Sequence, residues 1–149
     1  MLDFTPFISL KGQKRSNLSN WSIGEHIEHS CKVPREMLLA LKASTPGEKR
    51  PTFNVLRSIV FFFSIIPRGK GQAPEQVLPK TDLNAEELKD YVLKTPQIES
   101  EILELPGESW LEHPVFGILN RNMAYRFIQV HHHHHLKIVM DIKDQPDPS

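Results

Sequence analysis

Apolar positions recur at helical spacing over three long stretches of the chain. The pattern predicts helices over about residues 20–43, 83–104 and 121–142 and a short apolar helix over 53–64. Residues 67–79 are basic and punctuated by glycine and proline, which predicts a loop before the next long helix. No alternating strand pattern of useful length is present, so the sequence predicts an all-α fold.

Polar residues and prolines define the ends of these predicted helices. Pro34 and Pro96 fall inside the first and second long helices and are expected to bend or interrupt them, because proline lacks the backbone N–H. Residues 144–149 are expected to fray. With 149 residues and no visible boundary, the chain is predicted to be a single domain over 1–149, with 1–19 as a short N-terminal segment. The candidate N-caps are Ser19 or Asn20, Asp82 or Asn84, and Asn120.

Composition and charge exclude several classes of partner. Lysine and arginine number 18, as do aspartate and glutamate, so no basic footprint for nucleic acid is expected. The most apolar run, Ile59 to Ile66, is far shorter than the roughly 20 residues of a membrane span. We therefore expect no membrane partner and interpret this run as a buried packing segment. Cys31 is the only cysteine and is interpreted as a small core residue, which favours a reducing, cytoplasmic location.

The chain contains five consecutive histidines, from position 131 to 135. The residues on both sides continue one predicted helix, which argues against a purification tag. On a helical wheel His131 and His135 fall in the middle of the apolar stripe. His132 and His133 fall on the flank and on the polar side, so both are expected to be solvated.

Two histidines at positions i and i+4 on an inward face can reach a common metal ion. The helical zinc motif H-E-x-x-H uses the same spacing, but no glutamate stands between His131 and His135. The alternative is a pair of core histidines satisfied by hydrogen bonds. A third ligand would come from another helix, where His26 and His29 are the candidates. Periodicity slightly favours His26 and does not decide between them.

Three segments resemble a known superfamily. Trp-Ser-Ile at Trp21, with a histidine eight positions after the tryptophan, is similar to the second helix of DinB-like proteins. This superfamily includes YfiT-like metal-dependent hydrolases and thiol-dependent transferases. The segment HPVFGILNRNMAYRFIQVHHHHHLK, from His113 to Lys137, resembles a branch of unknown function that typically reads HP-FG-L, R-F and H-x-x-H-H-L. The segment IIPRGKGQAPEQVLP also resembles that branch, and the likeness spans about residues 21–142.

The resemblance implies a DinB-like four-helix bundle of the up-down-down-up type, with an extra short helix and loop between the second and third helices. It implies that one divalent ion is bound by His29, His131 and His135, and it selects His29 over His26. Zinc and nickel both suit imidazole ligands, and the sequence does not choose between them. Homodimers are frequent in the superfamily. The segment before Trp21 is shorter than the usual first helix, so we expect only a short helix within residues 3–11.

The resemblance and the open three-histidine site together suggest a metal-dependent hydrolase or thiol-dependent transferase acting on a small molecule. The alternative is a non-catalytic metal- or ligand-binding bundle, which the lack of a convincing general base favours. A third possibility is an adaptor whose histidines only fill the core.

Other polar residues near the predicted site are weaker candidates. Glu25 lies one turn before His29 and is either a partner of a ligand or an exposed helix glutamate. Arg68 and Lys70 lie in the basic loop, which either covers the site and favours an anionic substrate or is merely solvated. The candidate acid–base groups are Glu25, His26 and His134.

Overall fold

The computed structural model describes residues 3–69, 72–80 and 82–146. The protein is mostly helical, and a 3₁₀ helix at Thr5–Leu10 confirms the short helix predicted within residues 3–11. None of the described helices combines the length and apolar character that a membrane crossing requires. The α-helices are α1 (Ile23–Ala43), α2 (Val55–Phe63), α3 (Ala85–Glu104) and α4 (Arg121–Asp144).

The long helices begin at side chains that accept backbone N–H groups. α1 starts at a capping box, in which the Ser22 hydroxyl accepts from the Glu25 N–H and the Glu25 carboxylate accepts from the Ser22 N–H. Asn84 caps α3 and Asn120 caps α4, as predicted. Neither Pro34 nor Pro96 ends its helix.

A β-hairpin replaces the turn expected before α4, so the all-α prediction is wrong at this point. Strand β1 (Trp110–His113) pairs with β2 (Gly117–Asn120) in an antiparallel register that places Leu111 opposite Leu119. Gly117 has φ +67°, a backbone conformation that favours glycine. The His113 Nδ1 atom accepts the N–H groups of Val115 and Phe116 inside the turn. The strands are too short for their alternation to be read from sequence.

The core consists of two apolar clusters separated by buried histidines. One cluster joins the start of α1 to the end of α4, through residues such as Ile23 and Ile142. The other joins the end of α1 to the start of α4, through Leu41 and Ile128. The start of α3 belongs to the first cluster and its end to the second, so α1 and α3 run parallel and α4 runs antiparallel to both. The histidine layer between the clusters consists of His26, His29, His131, His132 and His135.

The apolar run that was expected to be buried is largely exposed. α2 packs inward through Arg57 and Val60, and it is held to α4 where the Arg126 guanidinium donates to the Phe61 carbonyl and the Ser64 hydroxyl. Phe61 is partly buried against the cluster that contains Leu41 and Ile128. The other five apolar side chains of the helix point to solvent, and we call them the outer face of α2: Val55, Leu56, Ile59, Phe62 and Phe63.

The C-terminal end is more ordered than predicted up to residue 146. α4 extends to Asp144, and the Arg15 guanidinium donates to the carbonyl of Gln145. This contact ties the N-terminal loop to the end of α4. The rest of the expected tail, residues 147–149, lies outside the described residues.

Candidate metal centre

Three buried histidines from two helices direct their imidazoles to one point in the histidine layer. The Nε2 atom of His131 lies 3.1 Å from that of His29 and 3.2 Å from that of His135. Tetrahedral coordination at a metal–nitrogen distance of about 2.0–2.1 Å gives a ligand–ligand edge of about 3.3 Å. All ligand atoms of the group lie within 4.8 Å of one another, so the three histidines are close enough to hold a metal ion.

The hydrogen bond on the far side of His29 determines which nitrogen faces the cluster. Its Nδ1 atom lies 2.8 Å from the carbonyl oxygen of Val77. A carbonyl can only accept, so Nδ1 carries the proton and Nε2 of the neutral ring keeps its lone pair for a metal ion.

The loop that supplies this carbonyl is fixed to α1. Glu28, which is fully buried, accepts the N–H of Lys80 and pairs with the ammonium group of Lys32. Lys32 also donates to the carbonyl of Leu78. These contacts hold the segment around Val77 over His29.

His26 supports His135 and is not a member of the three-histidine group. The Nδ1 atoms of the two rings lie 2.9 Å apart, and His26 Nε2 lies 2.8 Å from the Ser19 hydroxyl. If His135 Nδ1–H donates to His26, then His26 Nε2–H donates to Ser19. Both hydrogen bonds in the row His135–His26–Ser19 then pair one donor with one acceptor. This arrangement again leaves Nε2 of His135 free to bind a metal ion.

His131 is the least satisfied member of the cluster. Its Nδ1 atom is buried without a hydrogen-bond partner, while its Nε2 atom faces both other rings. When all three Nε2 atoms present lone pairs, they repel one another unless a cation lies between them. The donor set therefore fits a divalent cation, because such an ion turns the crowding of lone pairs into coordination.

The surroundings keep the cluster uncharged. Burial is the main cause that lowers the pKa of His29, and burial lowers the pKa values of His131 and His135 well below 6.5, with neighbouring histidines adding to the effect. Burial likewise lowers the pKa of His26 to about 3. Neutral imidazole is the form that binds metal, so the ligands are prepared for binding at neutral pH.

His132 is buried, and the prediction that it is solvated is wrong. Its Nδ1 atom lies 2.5 Å from the Ser30 hydroxyl, and its Nε2 atom lies 2.9 Å from a carboxylate oxygen of Glu99. The other Glu99 oxygen accepts from Gln129. We call Ser30, His132 and Glu99 the α1–α3–α4 bridge, because it joins these helices beside the three-histidine cluster. The wheel missed it because α3 and Phe4 cover this flank of α4. His133 is exposed, as predicted.

Trp21 packs against the histidines from the start of α1. Its ring centroid lies 4.9 Å from that of His29, 5.4 Å from that of His26 and 6.3 Å from that of His135. This contact gives a physical reason for the eight-residue spacing between the tryptophan and His29. The indole restricts how these rings can turn.

The weaker candidates lie around the cluster in different roles. Glu25 caps α1 through its carboxylate. His134 is half-buried, and burial, followed by the charge of Arg68, lowers its pKa to about 4. Arg68 forms an ion pair with Asp141 at 2.6 Å, and Lys70 lies outside the described residues. Burial raises the pKa of the Cys31 thiol to about 12, in agreement with a core residue.

Comparison with protein-family models, curated proteins and solved structures finds no match to this chain.

Proposed function

We propose that this chain is a DinB-like protein that holds one divalent metal ion through His29, His131 and His135 and acts as a metal-dependent hydrolase or thiol-dependent transferase on a small molecule. The observation that carries the proposal is the convergence of three Nε2 atoms. The Val77 carbonyl holds His29 in the tautomer that metal binding requires, and the contact between His26 and His135 is compatible with the same tautomer of His135.

The helix directions support the family proposal. Parallel α1 and α3 with antiparallel α4 correspond to the last three helices of an up-down-down-up bundle. The 3₁₀ helix at Thr5–Leu10 then stands where the first helix is expected. α2 and the following loop occupy the place of the predicted insertion between the second and third helices.

Zinc or nickel is the proposed ion, since both suit imidazole ligands. Held by three neutral imidazoles, such an ion keeps its full charge, and it can acidify a bound water or bind a thiolate. The chain's own residues supply the ligands, hold their tautomers and exclude bulk water from the cluster. His131 is 7% exposed and the other two ligands 5%, so access to the ion is narrow.

A small acidic molecule fits the surroundings best. A cleft of about 210 Å³ is lined by Arg68, Lys137 and His134, with Ile65 and Ile66 as apolar walls, and it reaches the histidine layer only through His134. The ring of His134 lies 5.0 Å from that of His135. Lys137, together with Arg68 in its ion pair with Asp141, favours a carboxylate or phosphate on the substrate.

A specific observation favours the non-catalytic alternative. The two buried carboxylates nearest the layer are both engaged elsewhere, Glu28 with Lys32 and Lys80 and Glu99 with His132 and Gln129. Neither is positioned as a general base at the cluster. A bundle that only stores or senses a metal ion needs no such base.

Metal content measured by mass spectrometry tests the shared part of both proposals. The protein is purified without an affinity tag or metal column, and we expect about one zinc or nickel ion per chain. His131→Ala and His29→Ala should lose the ion, whereas His133→Ala, in the same histidine run but exposed, should keep it. A wild-type protein that stays metal-free after incubation with both ions would exclude the centre.

X-ray absorption spectroscopy of the metal-loaded protein separates the enzyme from the binding bundle. Three nitrogen ligands with an exchangeable oxygen, replaced by sulfur when a small thiol is added, support the enzyme. A fourth protein ligand that resists exchange supports the non-catalytic alternative.

A further inference from the structure

α2 directs five of its seven apolar side chains away from the protein. At about 100° per residue, the five residues of its outer face lie within one arc of about 120°. Phe62 is 81% exposed and Phe63 62% exposed, and their rings contact each other edge to face at 5.0 Å. Phe53 and Ile65 flank the helix in the chain and are also exposed.

The apolar area is large for a helix of nine residues. Taking about 200 Å² for each phenylalanine and rather less for each aliphatic residue, the outer face exposes roughly 500 Å², and roughly 750 Å² with Phe53 and Ile65. Each partner in a standard interface buries about 800 Å². The patch is therefore close to the size that a stable complex between two folded chains needs.

The charge of the patch indicates which partner fits it. Between Pro51 and Pro67 the only charged residue is Arg57, which is buried and donates to the carbonyls of Phe116 and Ile118. In a two-fold dimer every charge near the axis meets its own copy, so an uncharged apolar face suits self-association. We propose that the outer face of α2 binds the outer face of α2 on a second copy of this chain.

A lipid surface fits less well. Helices that lie in a membrane interface carry lysine and arginine on the polar face, where these residues meet anionic headgroups. The opposite side of α2 packs on its own protein, and its single arginine is buried there. The helix therefore offers the apolar half of such a motif without the basic half.

Sedimentation velocity from about 1 to about 100 µM tests the proposal. A chelator is present, so that exposed histidines such as His133 cannot cross-link chains through metal. We expect wild type to form dimers and Phe62→Glu to weaken them at least about tenfold, because a charge would face its own copy. Leu93→Glu, at an exposed leucine of α3, is the matched control and should dimerise like wild type. A wild type that stays monomeric throughout, with or without binding to phosphatidylcholine vesicles, overturns the proposal.

A covalent measurement keeps the test decisive if Phe62→Glu does not fold. Cys31 is the only cysteine and is buried, so a cysteine placed on the surface reacts alone. Phe62→Cys should form a disulfide-linked dimer under mild oxidation, since the two outer faces lie against each other. Leu93→Cys should remain a single chain. Equal cross-linking of both variants, or of neither, contradicts the assigned surface.

Discussion

The histidine layer and the outer face of α2 depart from the usual distribution of side chains in opposite directions. The layer buries five imidazoles between two apolar clusters. α2 does the reverse, because it buries Arg57 and exposes Phe62 and Phe63. Buried polar groups and exposed apolar patches are the informative exceptions in a folded chain.

The two regions differ in whether their side chains find partners inside the described part of the protein. In the layer, nearly every ring nitrogen has a partner inside the chain, and the cluster of Nε2 atoms is the place where a cation fits. The outer face of α2 has no such internal partner. Side chains that break the usual rules of burial concentrate where a protein has a function. The histidine layer therefore indicates an ion, and the outer face of α2 indicates a second chain.

Metal binding should give the largest change in stability. At free metal about 1,000-fold above the dissociation constant, the ion stabilises the folded state by about 4 kcal/mol. For a chain of 149 residues this raises the melting temperature by roughly 8–16 °C. Differential scanning calorimetry with and without zinc or nickel measures the shift.

The matched variants separate the cluster from the rest of the run. His135→Ala should lose the shift, while His133→Ala should retain it. A shift of equal size in both variants would place metal binding on the surface of the run and would remove the distinction between the buried layer and an ordinary solvated helix.

Removal of the His132 imidazole from the α1–α3–α4 bridge should have the next largest effect on stability. His132→Ala leaves the Glu99 carboxylate and the Ser30 hydroxyl buried without this partner and opens a cavity. We expect the free energy of unfolding to fall by about 3 kcal/mol. His133→Ala should change it by less than about 0.5 kcal/mol, as is usual at the surface. Urea unfolding of the metal-free proteins tests both, and equal costs would mean that the bridge contributes nothing specific.

What could be predicted from sequence is what depends on near neighbours. The long helices follow from periodicity and from caps such as Asn84 and Asn120. The expected cap at Ser19 or Asn20 was wrong by a few residues, although Ser22 and Glu25 have the spacing of a capping box. The inward direction of His131 and His135 also follows from the wheel.

What depends on packing between elements could not be predicted in this way. The choice between His26 and His29 requires the rotation of α1 against α4, which no wheel contains, and only the resemblance selected His29. The burial of His132 depends on α3 and on Phe4, which lie far away in sequence. Hydrophobicity predicted a buried α2, but its burial depends on a covering element that the described chain does not supply.

Arg57, which is buried beneath α2, provides a smaller test of how this helix is held on the protein. Arg57 is 6% exposed and donates to the carbonyls of Phe116, Ile118 and Thr52, which joins α2 to the hairpin. Arg57→Ala leaves these carbonyls without that donor, and we expect a loss of about 2 kcal/mol in the free energy of unfolding.

Arg35→Ala is the control for this loss, because Arg35 is an exposed arginine of α1, and it should change stability by less than about 0.5 kcal/mol. Chemical denaturation of both variants gives the comparison. If Arg57→Ala were as mild as the control, α2 would be held by its apolar contacts and by Arg126, and the buried guanidinium of Arg57 would contribute little.

The smallest effect concerns His113, a histidine outside the layer. Burial against Phe116 and Phe127 lowers its pKa from 6.5 to about 4. The folded state thus favours the neutral ring, so its contribution to stability is complete above about pH 6.5 and is lost as pH falls toward 4. Since the side chain is partly exposed, we expect a loss on the order of 1 kcal/mol.

The His113→Asn variant isolates this contribution from the other histidines. The asparagine oxygen can still accept the turn N–H groups, but it does not titrate in this window. The melting temperature of each metal-free protein is measured at pH 7.5 and at pH 4.5. The decrease between the two pH values should be smaller for the variant than for wild type. An identical fall would mean that the acid sensitivity arises outside the hairpin, in the histidine layer or at His134. The hairpin histidine would then behave as an ordinary turn residue, and the cost of burying imidazole in acid would be confined to α1 and α4, where the other buried histidines lie.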